Sequence, residues 1–130
     1  MRHALDAWVV IDFLDGKEPA LSRVRELLAG ERPVMSWINL GEVAYVLQRR
    51  VGAEAAREHI SEMQGDLTLD LPTPERVLEA AAIKAEHAIS YADAFAVATA
   101  LAHGAVLLTG DPQIVRGDPA WEIEDLRPVE

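Results

Sequence analysis

The chain reads as a three-layer α/β/α domain with a central, largely parallel sheet. Three observations predict this class. Short apolar runs alternate with amphipathic stretches along the whole length, the pattern of strand–helix units. Ala105-Val106-Leu107-Leu108-Thr109 is apolar almost throughout, as expected of a strand covered on both faces. Acidic residues also recur where a strand or tight turn passes into a helix, the positions that a parallel sheet gathers along its carboxyl edge.

The elements follow in order. Residues 3–6 read as a first strand that runs into Asp6, and an apolar helix over 8–14 stops near Gly16. Pro19 opens a second helix with apolar residues at 21, 24, 27 and 28, one face of an amphipathic helix. Gly30 reads as its C-cap. Residues 33–36 form a short strand, 38–50 a helix, and Val51-Gly52 a break before a helix over 53–63. Residues 67–71 alternate as a strand, and Thr73-Pro74 starts the next helix with proline at its first position. Ser90 opens an alanine-rich helix over 91–103, which Gly104 ends. After the strand at 105–109, Gly110-Asp111-Pro112 turns into a short helix, and 121–126 is a last, more polar strand. No repeat, linker or low-complexity stretch divides the 130 residues, so a single domain over 1–130 is expected.

Half the residues are hydrophobic and cysteine is absent, which excludes disulfides, thiolate zinc sites and a cysteine nucleophile. Asp6 interrupts the start too early for a secretory apolar region, and the longest apolar run, 94–108, is too short to span a bilayer. A cytoplasmic protein without a membrane association is expected. The net charge of −10 argues against a protein that grips nucleic acid by bulk electrostatics. It leaves room for a nuclease, because acids at a metal site count toward that charge.

Four acids, Asp6, Glu42, Asp93 and Asp111, occupy the strand-to-helix handovers. Singly, each has a capping explanation. Asp6 can cap the helix after it, Asn39 to Glu42 and Ser90 to Asp93 have capping-box spacing, and Asp111 precedes Pro112. Capping does not explain why all four belong to one sheet edge, nor the apolar neighbours of Asp93 and Asp111. Crowded carboxylates repel unless something positive lies between them, and Mg²⁺ or Mn²⁺ prefers oxygen ligands.

The run from Asp93-Ala94-Phe95-Ala96 to Leu101-Ala102, followed by Val106-Leu107-Leu108-Thr109-Gly110-Asp111, resembles the C-terminal signature of PIN-domain ribonucleases. Within that family it is most similar to the VapC toxins of type II toxin–antitoxin pairs. Asn39-Leu40-Gly41-Glu42-Val43 matches the family's middle motif and Asp6 its opening one, so the ordered set covers essentially the whole chain. The resemblance implies a metal-binding catalytic site of Asp6, Glu42, Asp93 and Asp111, with Thr109 supporting the last aspartate through its hydroxyl. It implies Mg²⁺, with Mn²⁺ as an alternative, held by Asp6 and Asp93, with Glu42 and Asp111 binding directly or through water. RNA would be cleaved to 5′-phosphate ends. It further implies a cognate antitoxin laid across grooves of the early helices, and a homodimer. One position departs: Trp8 stands where the family has a small polar residue, so a hydroxyl near Asp6 is lost unless Ser36 supplies it.

Lys17 and Arg116, each shortly after a site motif, are candidate phosphate contacts. Asp12 and Asp15 read as a solvated face, although Asp12 lies near enough in sequence to approach the site. Arg23 and Arg25 read as exposed, Arg49-Arg50 as dipole-compensating residues that could also meet RNA or a partner, and Trp8, Trp37 and Trp121 as core or interface. His3, His59, His87 and His103 have no zinc spacing, and His103 suits a helix C-terminus. Two other functions compete. A PIN scaffold could bind RNA or a protein without cleaving, and a phosphoacceptor receiver domain shares the size and sheet. The latter needs adjacent acids after its first strand and a late lysine, and here Asp6 stands alone and no lysine follows Lys84.

Overall fold

The computed structural model describes residues 1–128. Five short strands, β1 (Arg2–Leu5), β2 (Val34–Ser36), β3 (Thr68–Asp70), β4 (Ala105–Thr109) and β5 (Ile123–Asp125), form one parallel sheet in the order β3-β2-β1-β4-β5. Helices α1 (Ala7–Leu14), α2 (Ala20–Gly30), α3 (Trp37–Val51) and α4 (Ala53–Asp66) come from the first half of the chain. The second half supplies α5 (Pro74–Glu86), α6 (Tyr91–Ala102) and the single turn α7 (Pro112–Val115).

The pleat explains the layers. Successive strand side chains point to opposite faces, and here neighbours divide between two cores. Leu5, Met35 and Leu108 join the cluster with α1 to α4, while Ala4, Val34 and Leu107 join the one with α5, α6 and α7. Both faces are therefore covered, as the apolar strands require. From Asp93 to Ala100 every residue of α6 is buried. The four alanines in that run (Ala94, Ala96, Ala98 and Ala100) and the flanking Ala92 are small enough for α3, α5 and the sheet to close around it.

Expected boundaries hold to within a few residues, and the differences have local causes. The first strand ends at Leu5 because Asp6 caps α1, its Oδ1 accepting the Val9 N–H at 2.8 Å. Ser36, not Asn39, caps α3 by accepting the Ile38 N–H at 3.1 Å, so Asn39 lies inside the helix. Gly30 remains in α2, and Glu31 is the cap. Gly52, at φ 88, makes the break between α3 and α4, and Gly104, at φ 59, the turn from α6 into β4.

The chain builds outward from β1 through β2 to β3, then crosses back with α5 and α6 to place β4 on the other side of β1. The order therefore reverses between β1 and β4, and the carboxyl ends of those two strands flank the crevice where such sheets bind ligands. A receiver domain has strand order 2-1-3-4-5, and the order found here removes that alternative.

Close packing around α6 gives a test. Ala98→Leu adds three carbons where nothing can yield, and a loss of about 1–3 kcal/mol is expected from overpacking, read as a lower urea midpoint with an unchanged slope.

Candidate active site

The register of the two central strands assembles the first part of the site. Leu5 pairs with Leu108, so the next residues, Asp6 and Thr109, emerge side by side at the carboxyl edge. Asp6 is 1% exposed. Its Oδ2 accepts a short hydrogen bond from the Thr109 hydroxyl, and that same hydroxyl accepts the Asp111 N–H at 3.0 Å. Thr109 therefore does more than support the last aspartate. It ties the first carboxylate to the backbone of the last. Asp111 in turn caps α7, accepting the Gln113 N–H at 2.7 Å.

The third acid arrives on α6. Ser90 caps that helix by accepting the Asp93 N–H at 3.1 Å, which places Asp93 in the first turn, buried, with its carboxyl within hydrogen-bonding reach of Asp111. Glu42 stands slightly apart, half-buried on α3. Asn39, fully buried one turn earlier, donates from Nδ2 both to Glu42 Oε1 and to the Ala92 carbonyl, each at 3.0 Å. One amide thus links the Glu42 side chain to the residue preceding Asp93. Sequence reading took Asn39 for a cap. Its spacing of one turn from Glu42 also suits a side-chain pair within a helix, and only the position of Ser36 decides between them.

Electrostatics set these acids apart from the rest of the chain. Burial pushes Asp6 up to about 6, against the opposing hydrogen bonds of Thr109, Val9 and Gly110, and the Asp111 charge adds to the rise. Asp93 is pushed to about 8, first by burial, then by the Asp111 carboxyl and its charge, with Asp6 contributing and Ser90 opposing. Burial also raises Glu42, opposed by Asn39. Asp70, the other buried acid, shows the contrast. Burial raises it most, yet hydrogen bonds from Arg76 and His103 hold it below its ordinary value. Among the described residues no Lys, Arg or His side chain is paired with Asp6, Asp93 or Asp111.

A divalent cation would supply the missing positive charge. Among the described residues no three His, Cys, Asp or Glu side chains are grouped closely enough to enclose an ion. Mg²⁺ keeps several waters and takes one or two carboxylates in place of a full protein cage. Asp93 and Asp111, with Asp6 beside them, offer hard oxygen donors once ionised.

The remaining candidates fall on both sides. Arg116 ends α7, one turn beyond Asp111, and is exposed. Lys17 lies past the far end of α1, about 12 Å of helix from Asp6, and is not brought to the cluster. Asp12 is half-buried on α1 and Asp15 pairs with Arg50 at 2.8 Å, so neither joins the site. Arg23 is held by Glu124 and is only partly exposed, unlike Arg25. Ser36 is committed to its cap and makes no hydrogen bond to Asp6. Trp8 and Trp37 are not core residues, being 50% and 36% exposed, whereas Trp121 packs against the α6 core and the His87 ring.

The sequence pattern of the PIN domain matches residues 4–118. The chain belongs to the PIN domain family. Among curated proteins none matches it in sequence. Several solved structures are similar in fold. VapBC2 from Rickettsia felis, bound to a DNA fragment from its promoter, aligns with a TM-score of 0.78 at 15% identity, over 96% of this chain and 98% of that one. VapBC-1 from nontypeable Haemophilus influenzae aligns with a TM-score of 0.74 at 22% identity, over the same shares. Mycobacterium tuberculosis VapC20, a toxin that cleaves the sarcin–ricin loop, gives 0.67 at 18% identity, over 88% of this chain and 95% of that one. The family expected from the ordered acidic motifs is the one found.

Raised carboxyl values have a consequence for stability. Folding favours the protonated form of Asp6 and Asp93, whose folded values of about 6 and about 8 lie above the ordinary 3.8. Between those limits the unfolded chain binds fewer protons than the folded one, so these two groups make stability fall as pH rises from about 4 to about 8. Thermal melts of metal-free protein should show that decline, and Asp93→Asn should flatten its upper part. Mg²⁺ added at pH 8 should raise the melting temperature of the wild type and not of the variant.

Proposed function

We propose that this PIN domain is a metal-dependent endoribonuclease and acts as the toxin of a toxin–antitoxin pair in the cytoplasm. The observation that carries the reading is the convergence of buried Asp6 and Asp93 with half-buried Asp111, without a cationic side chain, at the point where the strand order reverses. Mg²⁺, or Mn²⁺ in its place, would be held by Asp6 and Asp93, with Asp111 and Glu42 binding directly or through water. Bound there, the cation supplies Lewis-acid activation of water and of the phosphoryl group.

The chain's own groups supply the rest. Thr109 fixes the Asp6 carboxylate and the Asp111 backbone together, so two acids move as one unit. Asn39 holds Glu42 toward the first turn of α6. Glu42 is raised by burial yet half-exposed, which suits it to take a proton from an attacking water. Attack on phosphorus breaks the bond to the 3′ oxygen, and the proton passes to that oxygen. The products are a 5′ phosphate and a free 3′ hydroxyl.

The toxin assignment rests on the VapBC relatives, whose fold this chain shares. A cognate antitoxin and a second copy of the chain are the partners this reading requires. Trp8, Trp37 and Tyr45, large side chains left at 50%, 36% and 50% exposure, are surfaces that such partners would cover. Trp8 in the first turn of α1 also favours one second reading, a scaffold that binds RNA without turnover, because the small polar residue of the family is lost beside Asp6.

Turnover separates the two. Purified protein with Mg²⁺ or Mn²⁺ is expected to cut a mixed RNA pool to 5′-phosphate ends, and EDTA to stop it. Asp93→Asn should lose more than about 100-fold, since outer-shell changes alone cost about 10–100-fold. Thr109→Val, which orphans an Asp6 oxygen and the Asp111 N–H, should lose about 10–100-fold. A folded, metal-loaded wild type that cuts no RNA would establish the scaffold instead.

A further inference from the structure

A groove of about 590 Å³ runs beside the carboxylates, lined by Glu86, His87 and Ile89 on one wall and Gln113, Arg116 and Asp118 on the other. Both walls continue from the site. The first leads through the Ser90 cap into Asp93, and the second begins at Gln113, whose N–H is held by Asp111. Its size is that of a small-molecule pocket and would hold the base and ribose of one nucleotide.

Three features show a shaped wall. The Arg116 side chain is exposed and makes no hydrogen bond or ion pair among the described residues. The His87 ring is half-buried and packs on Trp121, centroids 4.6 Å apart and tilted by 56°. Trp121 is seated against the backbone of Gly117, where a Cβ would lie 2.2 Å from its ring, so only glycine admits this packing. A free guanidinium thus stands at one end of a slot and a braced aromatic ring lines its side.

Resting on the ribonuclease reading, we infer that this groove is the subsite for one single-stranded nucleotide next to the scissile phosphate. Arg116 contacts that nucleotide's phosphate and His87 packs against its base, as aromatic platforms do for unstacked bases. The rim carboxylates of Glu86 and Asp118 are acceptors for ribose hydroxyls or base amino groups and repel any further phosphate. The groove therefore admits one nucleotide in place of a duplex backbone, in keeping with a chain of net charge −10.

The test uses the full chain in two assays. In the first, adenosine or uridine 5′-monophosphate and a short single-stranded RNA are titrated in EDTA while amide and indole NMR signals are followed. Shifts are expected at 86–89 and 113–121, and Arg116→Ala should weaken binding about tenfold, the size of one charged hydrogen bond. His87→Ala should weaken it less, and Arg25→Ala, on the exposed face of α2, should not. In the second assay, Arg116→Ala should raise KM for RNA cleavage about tenfold with kcat within about twofold of the wild type. Shifts that fall elsewhere, or variants that bind and cleave like the wild type, would overturn the subsite. A chain that binds nucleotide in the groove but cuts no RNA would overturn the ribonuclease reading and leave the groove standing.

Discussion

Parallel pairing of β1 with β4 is the constraint on which the remaining structure depends. These strands carry Leu5 and Leu108 into one core and Ala4 and Leu107 into the other, so the same register that joins the two halves of the sheet also closes both hydrophobic layers. It further leaves Asp6 and Thr109 adjacent at the carboxyl edge. A one-residue slip would turn every one of these side chains to the wrong face. Core packing therefore specifies the position of the first carboxylate far more strongly than any interaction the carboxylate makes itself.

Stability and chemistry oppose each other at that edge. Asp6 and Asp93 are buried among apolar neighbours, and the hydrogen bonds from Thr109, Val9 and Ser90 offset only part of the desolvation. Elsewhere the chain solves the same problem with hydrogen-bond partners, as at Asp70 between the Arg76 guanidinium and the His103 ring. Leaving the site acids uncompensated keeps carboxyls whose protons an incoming divalent ion can displace. Perturbed carboxyls in an otherwise well-satisfied fold mark these acids as candidates for a functional site.

Much of this was legible in the sequence because its signals were local. Gly52 and Gly104 punctuate helices, Thr73-Pro74 and Ser90 open them, and the apolar run at 105–109 marks a central strand. Each reports a backbone conformation that its immediate neighbours dictate. The acids at 6, 93 and 111 could be grouped because parallel sheets bring such positions together whatever the details of packing. The partner of each polar atom was not legible. Nothing near Thr109 indicates that its hydroxyl would reach Asp6, 103 residues away. Asn39 was misread because capping and mid-helix pairing with Glu42 share one spacing. Lys17 and Arg116 had equal standing as sequence candidates. They differ only because α1 carries the one away from the edge, while α7 is too short to remove the other.

The most direct measurement is the anomalous diffraction of a crystal of the wild-type chain soaked with Mn²⁺ near pH 8, where Asp6 is ionised and Asp93 about half so. A manganese peak between the carboxylates of Asp6, Asp93 and Asp111, with Glu42 at or one water away from it, is the predicted result. A map with no peak there, or with manganese bound only at other surface acids, would contradict the central claim that these carboxylates form a cation site.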